Sequence, residues 1–189
     1  VQKATQGLAN YLNKKTSHAS VAIAYDSRIK SDVFAKAAAE VLAANGITAH
    51  LYPQLMPTPA LSFAVRHLKC DAGICITASH NPAKYNGYKA YGSDGCQVAL
   101  EMADAILDEI NRLDIFRDVK HMDYDAAVEQ GSIKAIGEDV VIAFLNAVKS
   151  QSILDCSDSD LKVVYTPLNG SGKMCVTRIF NMIGIKNIT

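Results

Sequence analysis

The sequence lacks the features that place a protein in or across a membrane. No stretch approaches the roughly 18 uninterrupted apolar residues that a membrane-spanning helix requires. The chain also does not open with the charged, apolar and small-residue segments of a signal peptide. We therefore expect no membrane partner and a cytoplasmic location.

An excess of charge and a pattern of paired cysteines are missing as well. Lys and Arg together number 19, as do Asp and Glu. Nucleic-acid-binding proteins usually carry a basic surplus, so we expect no nucleic-acid partner, although a small charged substrate needs only local charge. The five cysteines are dispersed and include no C-x-x-C pair. This pattern argues against a zinc site or a disulfide framework and favours reduced thiols.

The sequence does contain several apolar runs of strand length. Residues 21–25, 47–52 and 72–77 predict three buried strands, and residues 88–91 predict a short strand at an antiparallel edge. The intervals between the first three strands are short and carry helical spacing. A β-α-β-α-β order with short connections is typical of an α/β fold, here a mixed, mostly parallel sheet covered by helices.

Start and stop signals delimit the two helices between these strands. Ser31 is expected to cap the first helix, which ends at Asn45-Gly46. Pro59 fits the first turn of the second helix, which ends near Leu68. Both helices are short enough to return the chain to the next parallel strand.

The pattern further along the chain predicts two domains. Helical spacing recurs over residues 99–113 and 138–150, with a charged, irregular stretch between them. After a polar segment, residues 161–189 predict one βαβ unit, which cannot cover both faces of its own sheet. We therefore expect a first domain over residues 1–150, a linker over 151–160, and the truncated start of a second α/β domain over 161–189.

The third predicted strand leads directly into the stretch that carries the most chemical information, residues 77–82. Ligands of open α/β sheets bind just past the carboxyl ends of strands, where Ser79 would lie. A free serine hydroxyl is a weak nucleophile and needs an activating group. His80 is adjacent, but neighbours on an extended backbone point to opposite sides, so we expect no direct Ser79–His80 pair. Thr77 and Asn81 stand where a G-x-S-x-G hydrolase turn needs glycine.

A phosphoryl group stored on Ser79 would make sense of the surrounding charges. It would carry a charge of roughly −1.5 to −2 and would need cations or N–H donors nearby. Lys84 and Lys89 lie in the same loop, and Arg28 follows another strand of the same sheet. Gly87 would allow the loop to bend close to a ligand.

The hexapeptide Thr-Ala-Ser-His-Asn-Pro at residues 77–82 matches, residue for residue, the phosphoserine loop of the α-D-phosphohexomutases, the phosphoglucomutase/phosphomannomutase family. Four other segments resemble the family more weakly: residues 25–28, 58–59, 86–89 and 166–172. By this resemblance the chain is an N-terminal fragment of such an enzyme, with domain 1 and the start of domain 2.

The resemblance implies an isomerase that interconverts hexose 1-phosphate and hexose 6-phosphate through a bisphosphorylated sugar. Ser79 would carry the phosphoryl group, and His80 and Lys89 would serve proton transfer and charge stabilisation. The residues expected to bind substrate or to support the loop are Arg28, Thr77, Asn81 and Asn86. A hexose 1,6-bisphosphate is the expected activator.

The resemblance also implies a magnesium ion. It would bind a phosphoryl oxygen on Ser79 together with three aspartates of a D-G-D-x-D-R loop. These 189 residues contain no such loop. We therefore expect this chain alone to be inactive.

A rival interpretation is a non-catalytic sugar-phosphate-binding or interaction module that retains the loop. In that case Ser79 would be an ordinary serine in the turn after a strand. A nucleotide-binding P-loop at residues 170–173 is excluded, because the motif needs Gly and Ser or Thr where Pro167 and Met174 stand. The sequence does not specify the preferred sugar or the oligomeric state.

Overall fold

The computed structural model describes residues 1–153 and 160–189. Its elements, in chain order, are α1 (Gln2–Asn13), β1 (Ser20–Tyr25), α2 (Ser31–Ala44), β2 (Thr48–Leu51), α3 (Thr58–His67), β3 (Ala72–Ile76), β4 (Tyr88–Gly92), α4 (Leu100–Asn111), α5 (Tyr124–Glu129), β5 (Ile133–Ala135), α6 (Glu138–Lys149), β6 (Lys162–Val163), α7 (Lys173–Met182) and β7 (Asn187–Ile188). None of the helices within these residues combines the length and the apolar character needed to cross a bilayer.

Five strands form one sheet in the order β4-β3-β1-β2-β5. All neighbouring pairs are parallel except β3 and β4, which are antiparallel. The predicted fold class, a mixed and mostly parallel sheet covered by helices, is therefore confirmed. The predicted antiparallel edge strand is β4.

Helices cover both faces of this sheet, as its apolar strands require. On one face, Val21 and Ile23 of β1 and Ile74 of β3 join a core cluster with apolar residues of α1, α2 and α4. On the other face, α3 approaches β3 so closely that a Cβ added to Gly73 would lie 2.6 Å from the Val65 side chain. Every residue of β3 is consequently buried.

The strand order reverses direction between β1 and β3, and we call the position at the carboxyl ends of these two strands the crevice. The chain leaves β1 through α2 towards β2 on one side, and leaves β3 towards β4 on the other side. Loops that diverge at the carboxyl ends of adjacent parallel strands form the usual binding position of open α/β sheets. The Asp26 main-chain N–H donates to the Ile76 carbonyl at 3.2 Å, so the two loops start side by side.

The prediction for residues 114–136 was wrong, because this charged stretch contains α5 and β5. Asp123 caps α5 by accepting a hydrogen bond from the Ala126 N–H at 3.0 Å. β5 then extends the sheet in parallel with β2, pairing Ile133 with Ala49. Six helical and three strand residues are too few to show a clear apolar period. The helix α1 was also not predicted.

The described residues divide into two compact units, Val1–Ile136 and Gly137–Thr189. In the second unit, α6 packs on α7, Glu138 and Arg178 form an ion pair at 2.5 Å, and β6 pairs in parallel with β7. The division lies earlier than the predicted domain end at residue 150, because α6 has its contacts with α7. Most of the predicted linker over 151–160, namely residues 154–159, lies outside the described residues.

Candidate active site

The loop after β3 presents Ser79 at the crevice between β1 and β3. Ser79 adopts a left-handed backbone conformation, with φ of 59°. Its Oγ lies 3.2 Å from His80 Nδ1, and both side chains are exposed. The expectation that these neighbours point apart was wrong, because it assumed an extended backbone at Ser79. The pair can therefore exchange a proton directly when the imidazole nitrogen accepts it.

Thr77 fixes the entry into this loop from a buried position. Its hydroxyl donates to Asp26 Oδ2 at 2.6 Å and accepts the Ser79 main-chain N–H at 3.1 Å. Its own N–H donates to the Gly87 carbonyl at 3.0 Å. Thr77 thus supports the loop from below, one of the two roles predicted for it.

Asp26, the first residue after β1, accepts four hydrogen bonds around the base of the loop. Its Oδ1 accepts the Arg28 N–H at 3.0 Å and the Ser31 hydroxyl at 2.9 Å. Its Oδ2 accepts Arg28 Nε at 3.1 Å and the Thr77 hydroxyl at 2.6 Å. Asp26 was not among the predicted site residues. Its position directly after β1, beside the end of β3, is the signal that could have indicated it.

Arg28 was expected to offer positive charge to a phosphoryl group, but its guanidinium binds the protein itself. Nη2 donates to the Ser79 carbonyl at 2.5 Å, and Nη1 donates to the carbonyls of Pro82 and Tyr85 at 2.9 and 3.2 Å. With Nε on Asp26, four of the five guanidinium donors are engaged. The side chain is only 9% exposed. Arg28 therefore holds the Ser79 loop closed around one fixed cation.

Asn86 connects the returning end of the loop to α2. Its amide nitrogen donates to Ser31 Oγ at 2.8 Å, and its Oδ1 accepts the Gly87 N–H at 2.9 Å. Ser31 does not act as the predicted helix cap, because the cap position is Lys30, with φ of 62°. The Ser31 hydroxyl instead donates to Asp26. Gly87 passes so close that an added Cβ would lie 2.7 Å from the Thr77 carbonyl oxygen.

The other predicted residues lie around this network. Lys89 is on β4, where it pairs with Cys75 of β3 across the ladder. The Lys84 ammonium lies 5.1 Å from the centroid of the Tyr85 ring, at the outer side of the loop. The Asn81 main-chain N–H donates to the Ala78 carbonyl at 3.1 Å and closes the turn that contains Ser79.

The pKa of the Cys75 thiol reflects the charges and the burial beneath the Ser79 loop. Burial raises the pKa of its thiol, and the charge of Asp26 raises it further. A hydrogen bond with Thr58 and the positive charge of Lys89 act in the opposite direction but do not reverse the shift. Cys75 is thus a neutral, buried thiol, as its place in an apolar strand indicated.

The carboxylates of the described residues do not form a magnesium site. Within residues 1–153 and 160–189, no group of three or more His, Cys, Asp or Glu side chains could hold a metal ion. The Asp26 carboxylate contacts the loop, but its oxygens already accept four hydrogen bonds.

A separate cavity of about 590 Å³ lies at the other end of the strands from Ser79, beside the start of β3 and the end of the antiparallel strand β4. Its lining includes Tyr11 and Lys15 from α1, Asp71 just before β3, and Met102 in α4. It contains none of the predicted site residues. The candidate active site is therefore the exposed crevice at Ser79 and not this cavity.

A known protein family matches the part of the chain that contains the Ser79 loop and most strands of its sheet. The family model described as "Phosphoglucomutase/phosphomannomutase, alpha/beta/alpha domain I" matches residues 1–115, which include both loops of the crevice. The chain belongs to the phosphoglucomutase/phosphomannomutase family. The predicted family resemblance is thereby confirmed.

Named relatives extend the similarity over the whole chain. A Staphylococcus saprophyticus phosphoglucomutase is 40% identical over 188 residues, covering 99% of this chain and 34% of the relative. A Staphylococcus haemolyticus phosphoglucomutase is 37% identical, covering 100% of this chain and 34% of the relative. A Thermus thermophilus structure that bears the name phosphomannomutase has a TM-score of 0.82 and 26% identity, covering 99% of this chain and 40% of that one. This family member thus spans about a third of the length of its curated relatives, and the match fits an N-terminal fragment.

Proposed function

We propose that the protein carrying this sequence is a phosphohexomutase that uses Ser79 as its phosphoryl carrier. The observation that supports this most directly is the Ser79 hydroxyl at the crevice between β1 and β3, 3.2 Å from His80 Nδ1, in a loop with both ends hydrogen-bonded. Family membership and relatives named phosphoglucomutase give the chemical class.

The proposed reaction moves one phosphoryl group at a time. A sugar hydroxyl attacks the phosphorus on Ser79 and gives up its proton, while the bond from phosphorus to Ser79 Oγ breaks and Ser79 Oγ takes up a proton to become a hydroxyl. The Ser79 hydroxyl then loses that proton as it accepts the other phosphoryl group of the bisphosphorylated sugar, and the sugar oxygen that is released takes up a proton. The net result is interconversion of hexose 1-phosphate and hexose 6-phosphate, with hexose 1,6-bisphosphate as the activator that first loads Ser79.

Two side chains are candidates for proton transfer and for stabilising the charge of the transferring group. His80 is placed to accept or return a proton at Ser79 Oγ. Lys89 would supply positive charge near the transferring group, a role suited to phosphoryl transfer, which depends mainly on positioning and electrostatic stabilisation. Arg28 would act indirectly, since its donors hold the loop carbonyls.

Magnesium binding remains a prediction. The described residues of this chain do not provide a complete site for the ion. Ser79 would offer one phosphoryl oxygen, while Mg²⁺ generally requires further carboxylates, phosphates or waters.

Phosphopeptide mass spectrometry of the natural protein tests the carrier assignment. After incubation with glucose 1,6-bisphosphate we expect one new phosphate on Ser79, and its loss and regain during turnover with glucose 1-phosphate. Phosphate only at other residues, or full activity in Ser79→Ala, would contradict the assignment. Binding of sugar phosphate with no phosphate on Ser79 and no turnover would favour the non-catalytic module instead.

A further inference from the structure

Asp26 occupies the point where the hydrogen bonds of the Ser79 loop converge, and it has no place in the reaction proposed above. Its carboxylate accepts hydrogen bonds from Arg28, Ser31 and Thr77. We propose that Asp26 is a positioning residue that holds the Ser79 backbone in its left-handed conformation and thereby aims the Ser79 hydroxyl. The catalytic part of this inference rests on the proposed function of Ser79.

Two chains of hydrogen bonds connect Asp26 to the Ser79 backbone. The first arm, as we call each chain, runs through the Thr77 hydroxyl to the N–H of Ser79. A hydroxyl has one hydrogen and two lone pairs. The Thr77 hydrogen is committed to Asp26 Oδ2 at 2.6 Å, so a lone pair is available to the Ser79 N–H at 3.1 Å. An uncharged amide at position 26 could instead donate a hydrogen bond to Thr77. The Thr77 hydroxyl would then no longer be restricted to donating towards position 26 and accepting from the Ser79 N–H.

The second arm runs through Arg28 to the carbonyl of Ser79. Asp26 holds Arg28 by its main-chain N–H and by Nε, one on each carboxylate oxygen. The guanidinium is thereby oriented so that Nη2 reaches the Ser79 carbonyl, while Nη1 reaches those of Pro82 and Tyr85. Charge-assisted bonds from a planar guanidinium define direction as well as distance.

Both polar groups of the Ser79 backbone are therefore linked to one carboxylate by a single intervening residue each. This matters because a left-handed φ is disfavoured for a residue with a Cβ and persists only where the surroundings determine it. Phosphoryl transfer requires the attacking and leaving oxygens to lie in line, so a loosened Ser79 should lose rate more than substrate affinity.

Hydrogen exchange in the natural protein provides a test that does not depend on activity. Asp26→Asn should accelerate amide exchange across residues 77–87 by about tenfold or more, while the amides of β1 and β2 keep their protection. Asp94→Asn is the matched control, because Asp94 accepts the Cys96 N–H in the loop after β4, at the other end of the strands from Ser79. It should leave exchange over residues 77–87 unchanged.

Kinetics of the same variants test the catalytic part. In Asp26→Asn we expect kcat for glucose 1-phosphate to fall by about tenfold or more, with KM within roughly threefold of the natural value. If Asp26→Asn does not fold, Thr77→Val removes the first arm alone and should show the same pattern, with faster exchange over residues 77–87 and a lower kcat.

The outcomes separate the two proposals. Unchanged exchange over residues 77–87, acceleration spread evenly over the whole sheet, or a change in KM alone would overturn the role of Asp26. If the natural protein shows no mutase turnover at all, the proposed function fails, while the exchange comparison still decides whether Asp26 controls the loop.

Discussion

The Arg28 guanidinium donates from Nη2 to the Ser79 carbonyl oxygen at 2.5 Å, although the two residues are 51 positions apart in the sequence. The same guanidinium forms an ion pair with Asp26. Arg28 thus uses most of its donors inside the protein, and its positive charge stays beside the serine without being free to enclose a phosphoryl group. A loop built in this way keeps its shape before any ligand arrives, which lowers the cost of reaching a reactive geometry.

Gly87→Ala should damage the loop specifically. The added Cβ would lie 2.7 Å from the Thr77 carbonyl oxygen, which is a backbone atom and cannot rotate away. We expect Ser79 phosphorylation by glucose 1,6-bisphosphate to slow by about tenfold or more, as measured by phosphopeptide mass spectrometry. Gly46→Ala is the control, because Gly46 has a φ of 74° but nothing within 4 Å of an added Cβ. It should cost about 1 kcal/mol of stability and leave phosphorylation unchanged.

His80→Ala and Lys89→Ala should each lower kcat by roughly ten- to a thousandfold, the scale of losing one acid/base or electrostatic contact. Their melting temperatures should change little, because His80 is exposed and Lys89 lies on an edge strand. Steady-state kinetics and thermal unfolding of the natural protein measure both quantities. The control is Lys36→Ala on α2, which removes an ammonium that lies over the Tyr124 ring of α5. Normal turnover with a large drop in melting temperature would assign a structural role instead.

Gln6→Leu should destabilise the first unit by about 1–3 kcal/mol, because it leaves buried polar groups without partners. Gln6 is 2% exposed and exchanges two hydrogen bonds with the Asn45 side chain, at 2.9 and 2.8 Å. Its Oε1 also accepts the Lys120 N–H at 3.0 Å. Urea unfolding measures the loss, and Gln130→Leu, at an exposed position after α5, should cost less than about 0.5 kcal/mol. Equal losses in the two variants would show that the buried amide pair contributes nothing particular.

Stability should fall at alkaline pH partly because of Cys70. Burial raises the pKa of its thiol from 9.0 to about 11, with the charge of Asp71 adding to this and a hydrogen bond with Ser20 opposing it. A raised folded-state pKa stabilises the protein fully below pH 9, where the thiol is neutral in both states. That contribution is lost as the pH rises from 9 towards 11, because the unfolded chain ionises first.

Cys70→Val removes this titration while keeping an apolar side chain. Between pH 8 and pH 11, the free energy of unfolding measured in urea should fall by roughly 1–3 kcal/mol more in the natural protein than in the variant. Comparing the two proteins cancels the tyrosines and lysines that titrate in the same range. Parallel pH profiles for the two proteins would show that the Cys70 thiol does not contribute.

The sequence was sufficient for the parts of this fold that local patterns determine. The apolar runs of β1, β2 and β3 were located within a residue or two, and residues 161–189 contain the predicted βαβ unit, formed by β6, α7 and β7. The hexapeptide at residues 77–82 indicated the family because its residues are contiguous. Each of these features depends on neighbours in the chain.

The parts that were missed depend on contacts between distant segments. β5 pairs with β2, a strand distant in the sequence, and the hydrogen bond from Thr77 to Asp26 joins residues 51 positions apart. The error about Ser79 and His80 had a related cause. Whether neighbours point apart depends on φ, and the Ser79 backbone, with its positive φ, is hydrogen-bonded both to Thr77, two residues earlier, and to Arg28, 51 positions away.

The polypeptide of residues 1–189 alone should show no conversion of glucose 1-phosphate to glucose 6-phosphate, even with magnesium and glucose 1,6-bisphosphate. The phosphoryl charge on Ser79 must be neutralised for transfer, and the described residues include no cluster of three or more His, Cys, Asp or Glu side chains that could hold a magnesium ion. The only cation built firmly into the described part of the loop, Arg28, already serves the loop carbonyls. The chain also covers about a third of its phosphoglucomutase relatives, so binding surfaces for the distal end of the sugar would be lacking. A coupled glucose 6-phosphate dehydrogenase assay measures the conversion, with the Ser79→Ala polypeptide as its blank. Turnover above that blank would mean that these 189 residues neutralise and orient the phosphoryl group by themselves.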